Sequence, residues 1–408
     1  MTYRPNVQVR IGGALQDPAT VLEPVEIVRG RQDVQTQPQA GHVRVQLLDL
    51  DATADSPSLT SPVTIEVDDG SGTMHRLFTG TVTDVRVSIT SAGDLGRTAI
   101  HEVRAVGPLG QLHRGRANPD GYPAQLDGDR VAAILEATVP LPWEVAAGTW
   151  DDQDATWDTF DPPVEVDRPG RYHLAAVTDD TDPWQLVQTA AQDGLGQLGE
   201  RRTGGLTYTA SRGRLQTIID QGYTVLPPSA VAVTDLASDT SVVDLVNEVT
   251  VEWSGGAVTV RDDQAVLDVG AVMSRKVTTT LDNADDAQAR AERLLRLYAR
   301  PARSLDELLV AVDGDNLTPA ERAVLYDLDL GTPIRLDGLP AAVTGGRFSG
   351  FVEGVTWTLT RTRAVARLVV SDYRLSEFTV AWGDLGGEAW TDTDGTVTWN
   401  QAQELTDA

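Results

Sequence analysis

Apolar and polar residues alternate over Val7-Gln8-Val9-Arg10-Ile11, His42-Val43-Arg44-Val45-Gln46-Leu47, Val63-Thr64-Ile65-Glu66-Val67 and the long run Val82 to Ile89. Gly, Asp, Ser or Pro bound each run, and a period of two between turn formers is the pattern of half-buried antiparallel strands. No helical period interrupts residues 1–112, which therefore predict an all-β unit, a barrel or a sandwich. The texture changes near Gln111. Residues 129–138 have helical spacing with Val131, Ile134 and Leu135 on one face. A second helix is marked by Asp182 as cap, Pro183 at its first position, the stripe Leu186, Val187, Ala190 and Ala191, and Gly194 as its stop. Short strands are predicted at Leu206–Thr209 and Arg214–Ile218, which makes the middle of the chain a small α+β domain ending at Pro227-Pro228. The third region opens on the strand Glu248–Trp253. It continues through a long helix from Asn283 to about Tyr298 and a short one opened by Thr318, Pro319 and Glu321, a capping box. Alternation then resumes to Ser371.

The most informative feature is an internal repeat. When Arg76–Ile89 is set above Gly346–Leu359, Phe78 falls on Phe348, Gly80 on Gly350, Val82 on Val352 and Val85 on Val355. Upstream, Pro62-Val63-Thr64-Ile65 matches Pro333-Ile334-Arg335-Leu336, and downstream Ala99-Ile100 matches Ala364-Val365. A glycine within a strand weakens it, so its recurrence marks a bulge or a close backbone approach. Phe78, Gly80, Phe348 and Gly350 are the residues that define the repeat. The fold expected is mainly β with an α+β insertion: two similar antiparallel β-barrel domains flanking a small α+β domain. The boundaries expected are 1–112 for the first barrel, 113–235 for the insertion, 236–375 for the second barrel with added helices, and 376–408 for an acidic, Trp-containing C-terminal arm.

Composition narrows the chemistry. The chain has 408 residues and no cysteine, which excludes disulfides, thiolate catalysis and Cys-ligated metal centres. It carries 33 Lys+Arg against 60 Asp+Glu, a net charge of −27, and such a field repels nucleic acid and anionic lipid. The opening Met1-Thr2-Tyr3-Arg4-Pro5 has no apolar core of a signal peptide, and the uncharged stretch Gln221–Thr234 is too short to span a membrane, so a soluble chain made in the cytoplasm is expected.

Catalytic motifs are missing. The histidines, His42, His75, His101, His113 and His173, form no His-Glu-x-x-His pair, and Ser349 lies in Gly346-Arg347-Phe348-Ser349-Gly350 rather than in a nucleophile elbow. Asp313-Gly314-Asp315-Asn316 resembles the start of a calcium loop, but its twelfth position is Val324 and not glutamate. No catalytic residue, metal or cofactor is therefore assigned. Two aromatic clusters remain. Trp150 and Trp157 lie in a loop with Asp151, Asp152, Asp154 and Asp158, where a glycosidase pair could stand beside sugar-stacking rings. Trp382, Trp390 and Trp399 are spaced along a tail without basic residues, either a hairpin folded back on the second barrel or an arm holding a neighbouring subunit. All five tryptophans are interface candidates, because aromatic side chains concentrate in binding hot spots.

Several segments recur in order: Leu77–Val85, the Ala-rich middle with Pro183-Trp184, Asn247–Val251, Leu330–Ile334 and Val352–Val355. Over residues 1–375 the chain resembles the tail-hub (baseplate-hub) family of long-tailed bacteriophages, minor tail proteins of the virion. The resemblance implies a non-enzymatic homotrimer with two tube-like barrels per subunit, at the distal end of the tail. Such a hub would adapt the six-fold tail tube to the three-fold tail tip and form part of the DNA channel. Its partners would be tail-tube proteins above and tip or fibre proteins below. Genome DNA would pass without specific binding, and some of the negative charge would line the lumen. The alternatives are a minor tail protein that binds host glycan through its Trp-rich loops, or a cell-wall hydrolase.

Overall fold

Alternation along the first strands becomes alternation in burial. In the computed structural model Val43, Val45 and Leu47 point into the core, as do Val63, Ile65 and Val67, while their neighbours face out. The structure describes residues 3–373 apart from 32–36, 51–53, 92–96, 117, 139–163, 179–181, 212, 232–244, 300–304, 306 and 342–345. Trp150, Trp157, Trp382, Trp390 and Trp399, the aspartates beside Trp150 and Trp157, and the arm at 376–408 lie outside the described residues.

The first part of the chain holds β1 (Val7–Ile11), β2 (Ala14–Leu15), β3 (Val21–Gly30), β4 (Gln39–Asp49), β5 (Pro62–Asp68), β6 (Met74–Ser91) and β7 (Arg97–Val106). The middle holds β8 (Gln125–Leu126), α1 (Asp127–Thr138), β9 (Val164–Val166), β10 (His173–Leu174), α2 (Pro183–Asp193), β11 (Gln197–Glu200), β12 (Leu206–Thr209), α3 (Gly213–Gln221) and β13 (Thr224–Val225). Next come β14 (Glu248–Trp253), β15 (Gly256–Arg261), α4 (Asp263–Val269), β16 (Ser274–Thr278) and α5 (Ala284–Tyr298). Last are β17 (Glu307–Ala311), α6 (Pro319–Tyr326), β18 (Pro333–Asp337), β19 (Arg347–Leu359) and β20 (Ala364–Asp372).

The helix signals act as read. Asp182 accepts from the Trp184 amide at 3.0 Å, and Thr318 with Glu321 closes a reciprocal capping box on α6. The stretch from Arg214 to Ile218 is not a strand as expected but part of α3. The buried Arg214 and Ile218 stand four apart on one helix face, and an alternation of five residues is too short to separate the two periods.

The expected pair of separate barrels is not what forms. The first and last parts of the chain share one 12-stranded sheet, in the order β13-β18-β19-β3-β4-β7-β6-β5-β1-β2, with β20 on β19 and β17 on β20. Among the described residues this path is open and no barrel closes. The fusion happens at β3, which pairs with β4 on one edge and with residues 354–359 of β19 on the other. One core joins both ends of the chain, with Ile27, Val45, Ile65 and Phe78 beside Leu308, Phe348, Trp357 and Leu368.

A second core also crosses an expected boundary. Leu109, Ile134, Tyr172, Val187 and Tyr208 of the middle elements pack with Val249, Val251, Leu281, Ala287, Ala291 and Leu295. The β14–β16 sheet and α5, expected to belong with the second β unit, therefore complete the α+β layer. Ala287 and Ala291 are small, which lets α5 lie close on β14 and β15. Asp193 ties the two parts, accepting from the Thr280 amide at 2.7 Å and its hydroxyl at 2.6 Å.

Candidate functional site

The repeat reappears as register. In β5 and β6, Val63 pairs with Gly80 and Ile65 with Phe78; in β18 and β19, Ile334 pairs with Gly350 and Leu336 with Phe348. Each long strand then bulges at one and the same place, between Val82 and Asp84 against β7 and between Val352 and Gly354 against β20. The glycines have one job done twice. A Cβ on Gly80 would stand 2.4 Å from the Val106 carbonyl oxygen and 2.7 Å from the Phe78 ring; on Gly350 it would stand 2.0 Å from the Ser371 carbonyl oxygen and 2.7 Å from the Phe348 ring. Each buried phenylalanine covers the glycine two residues on, and no side chain fits there. The likeness reaches further upstream, because Val231 bridges Val310 of β17 at the place where Val21 pairs with Leu47 of β4.

The two copies differ at the bulge. Thr83 occupies the extra position in β6, whereas Glu353 occupies it in β19 and is fully buried. Its carboxylate accepts from Arg214 at 2.6 Å, Gln197 at 2.8 Å and Ser371 at 2.5 Å, with Arg31 at 3.4 Å. Burial by itself pushes the carboxyl up, and Arg214 and Arg31 more than reverse this, holding it at about 2. Arg214 is on α3 and Gln197 on β11, so the cluster joins the α+β layer to the long sheet.

A second acid spans this seam with the opposite balance. Glu200, at the end of β11, accepts from the amides of Gly41 at 2.6 Å and Leu109 at 3.1 Å. A Cβ on Gly41 or Gly107 would meet its carboxylate at 2.0 Å or 2.2 Å, so these glycines leave the room it occupies. Burial raises Glu200 to about 7, only partly offset by the Leu109 amide and Arg29. Arg29 itself pairs with Asp329 at 2.6 Å.

The histidines lie at separate places. His75 lies between Asp327 at 2.9 Å and Asp69 at 3.3 Å, His113 packs on Trp184, and His173 faces Asp286 at 3.5 Å. Among the described residues no group of three or more His, Cys, Asp or Glu side chains is placed to hold a metal ion. In the calcium-like turn the Arg322 guanidinium donates to the carbonyls of Val312 at 3.2 Å and Gly314 at 3.0 Å. Sequence reading found the Phe and Gly pairs but missed Glu353, Glu200 and Arg214. A lone acid in the apolar run Phe351-Val352-Glu353-Gly354-Val355 was the available signal for the first of them.

No family model and no curated protein matches the sequence. Solved structures do. The chain is similar to the 43 kDa tail protein of prophage MuSo2 from Shewanella oneidensis, with a TM-score of 0.58 at 12% identity over 91% of this chain and 99% of that one. The chain has the fold of a phage tail protein. The tail protein from Neisseria meningitidis MC58 superposes with a TM-score of 0.56 at 13% identity, covering 92% of this chain and 98% of its own. The tail-protein resemblance read from the sequence is met at the level of fold.

Proposed function

We propose that this chain is a structural, non-enzymatic component of a phage tail: a homotrimeric hub at the distal end. The observation that carries the reading is the repeated register, with paired strands, covered glycine and bulge recurring within one chain. A subunit with two like modules lets three copies present six similar edges, which is how a three-fold assembly meets a six-fold tube. The acidic balance, −27 per chain, supports a conduit, since carboxylates lining a lumen repel DNA and keep it from sticking. Tail-tube proteins would stack above and tip or fibre proteins below. The tryptophans at 382, 390 and 399, with Trp150 and Trp157, are the proposed contacts to those neighbours. Negative-stain averages of the purified chain test this. Rings of six similar lobes around a central opening are expected; asymmetric particles that bind cell-wall polysaccharide would overturn it.

A further inference from the structure

One buried carboxylate stands where a cap is missing. The turn Pro108–Arg114 follows β7, and the residue before it, Gly107, has no side chain to take up the first amides of the turn. Glu200 supplies the acceptor from across the seam. Its Oε2 accepts from the Leu109 amide at 3.1 Å, while its Oε1 accepts from the Gly41 amide at 2.6 Å. Only an ionised carboxylate serves both amides in this way. A protonated carboxyl keeps one full acceptor and turns its other oxygen into a donor, which cannot face an N–H. Leu109 is fully buried, so its amide would then lose its partner with no water to replace it. Gly41 lies within the long strand β4 and makes the shorter bond, which leaves the seven-residue turn as the element that yields.

We propose that Glu200 is a proton-operated tie between β11 and the turn Pro108–Arg114: ionised, it fastens the turn to the seam, and protonation of this one group frees it. Leu109 and Leu112 of the turn pack in the second core, and the turn lies against β4 and α2, so freeing it loosens the crossing from the long sheet to the α+β layer. The tie works within one chain, whatever that chain assembles with. Burial, partly offset by the Leu109 amide and Arg29, raises the carboxyl to about 7, which sets the change near neutral pH. Arg29 comes from β3, and Asp329, in the loop before β18, opposes it. On the other elements around β11, Tyr208 of β12 donates to Asp127, and Asp193 of α2 accepts from Thr280. His42 and Arg44 of β4 are exposed, and His113 of the turn packs on Trp184 with Asp182 at 3.7 Å.

Amide hydrogen exchange of the full chain, read by mass spectrometry at Leu109 and corrected for the chemical exchange rate at each pH, tests the tie. In wild type this amide should be about tenfold more protected at pH 8.5 than at pH 5.5, the difference expected for one hydrogen bond to a charged group. Global stability moves the opposite way, because ionising a carboxyl raised by folding opposes the folded state. A general loosening therefore cannot imitate the result. Glu200→Gln, with one acceptor and one donor, should show the low protection at both pH values. His113→Asn should keep the wild-type response, and with wild type it decides the matter even if the glutamine variant does not fold. Equal protection at the two pH values in wild type, greater protection at pH 5.5, a response that survives in Glu200→Gln, or one lost in His113→Asn would overturn the tie.

Discussion

Replacing Glu353 with glutamine removes the negative charge from a site that holds two guanidinium groups. Arg214 donates to it at 2.6 Å and Arg31 stands at 3.4 Å, both nearly buried. Taking one partner from a buried ion cluster costs about 3–5 kcal/mol, because the remaining charge is left in a poorly solvating interior. This is a large share of the roughly 5–15 kcal/mol that holds most folded chains together. The effect also depends on pH with a fixed sign. Glu353 sits at about 2 when folded against 4.5 for an ordinary glutamate. A carboxyl depressed by folding stabilises fully above its unfolded value and loses that contribution as pH falls toward its folded value. The gap corresponds to about 3 kcal/mol. Urea unfolding of wild type and Glu353→Gln, followed by far-UV circular dichroism from pH 7 to pH 2, checks it. Wild type should exceed the variant by several kcal/mol at pH 6, and the difference should shrink below pH 4.5. Equal stability at pH 6, or a difference that does not change with pH, would refute the proposed ion cluster.

Other outcomes follow from the same geometry. Glu200 is raised by folding to about 7, so its ionisation opposes the folded state: wild-type stability should fall between pH 5 and pH 7.5 relative to Glu200→Gln, by about 3 kcal/mol at most, in paired urea titrations. Gly80→Ala and Gly350→Ala should each destabilise by about 2 kcal/mol or more in thermal melts, since the carbonyl oxygens of Val106 and Ser371 leave no space for a methyl group. Ala291→Leu should cost about 1–3 kcal/mol by over-packing α5 against its sheet, read in the same melts.

Local features of this chain were legible because each is written in adjacent residues. Phe78 with Gly80, Phe348 with Gly350, and the Thr318 and Glu321 box combine spacing and side-chain chemistry in a single stretch. The strand partners were not legible. Alternation tells which face of β3 is buried but not that its second edge meets β19, some 330 residues later, and this is why one shared sheet was read as two barrels. The packing of α5 was hidden for a related reason: its apolar stripe announces a buried face without naming the core that receives it. The partners of Glu353 are equally distant, Arg214 being 139 positions away in sequence. Burial of an acid is decided by such long-range contacts, and no local pattern records them.

The mass of the intact chain in solution, by light scattering across a range of concentrations, tests the account most directly. A plateau at three times the 43.8 kDa chain is the expected result. A constant 43.8 kDa, or a plateau at an even multiple that three-fold symmetry cannot produce, would contradict it.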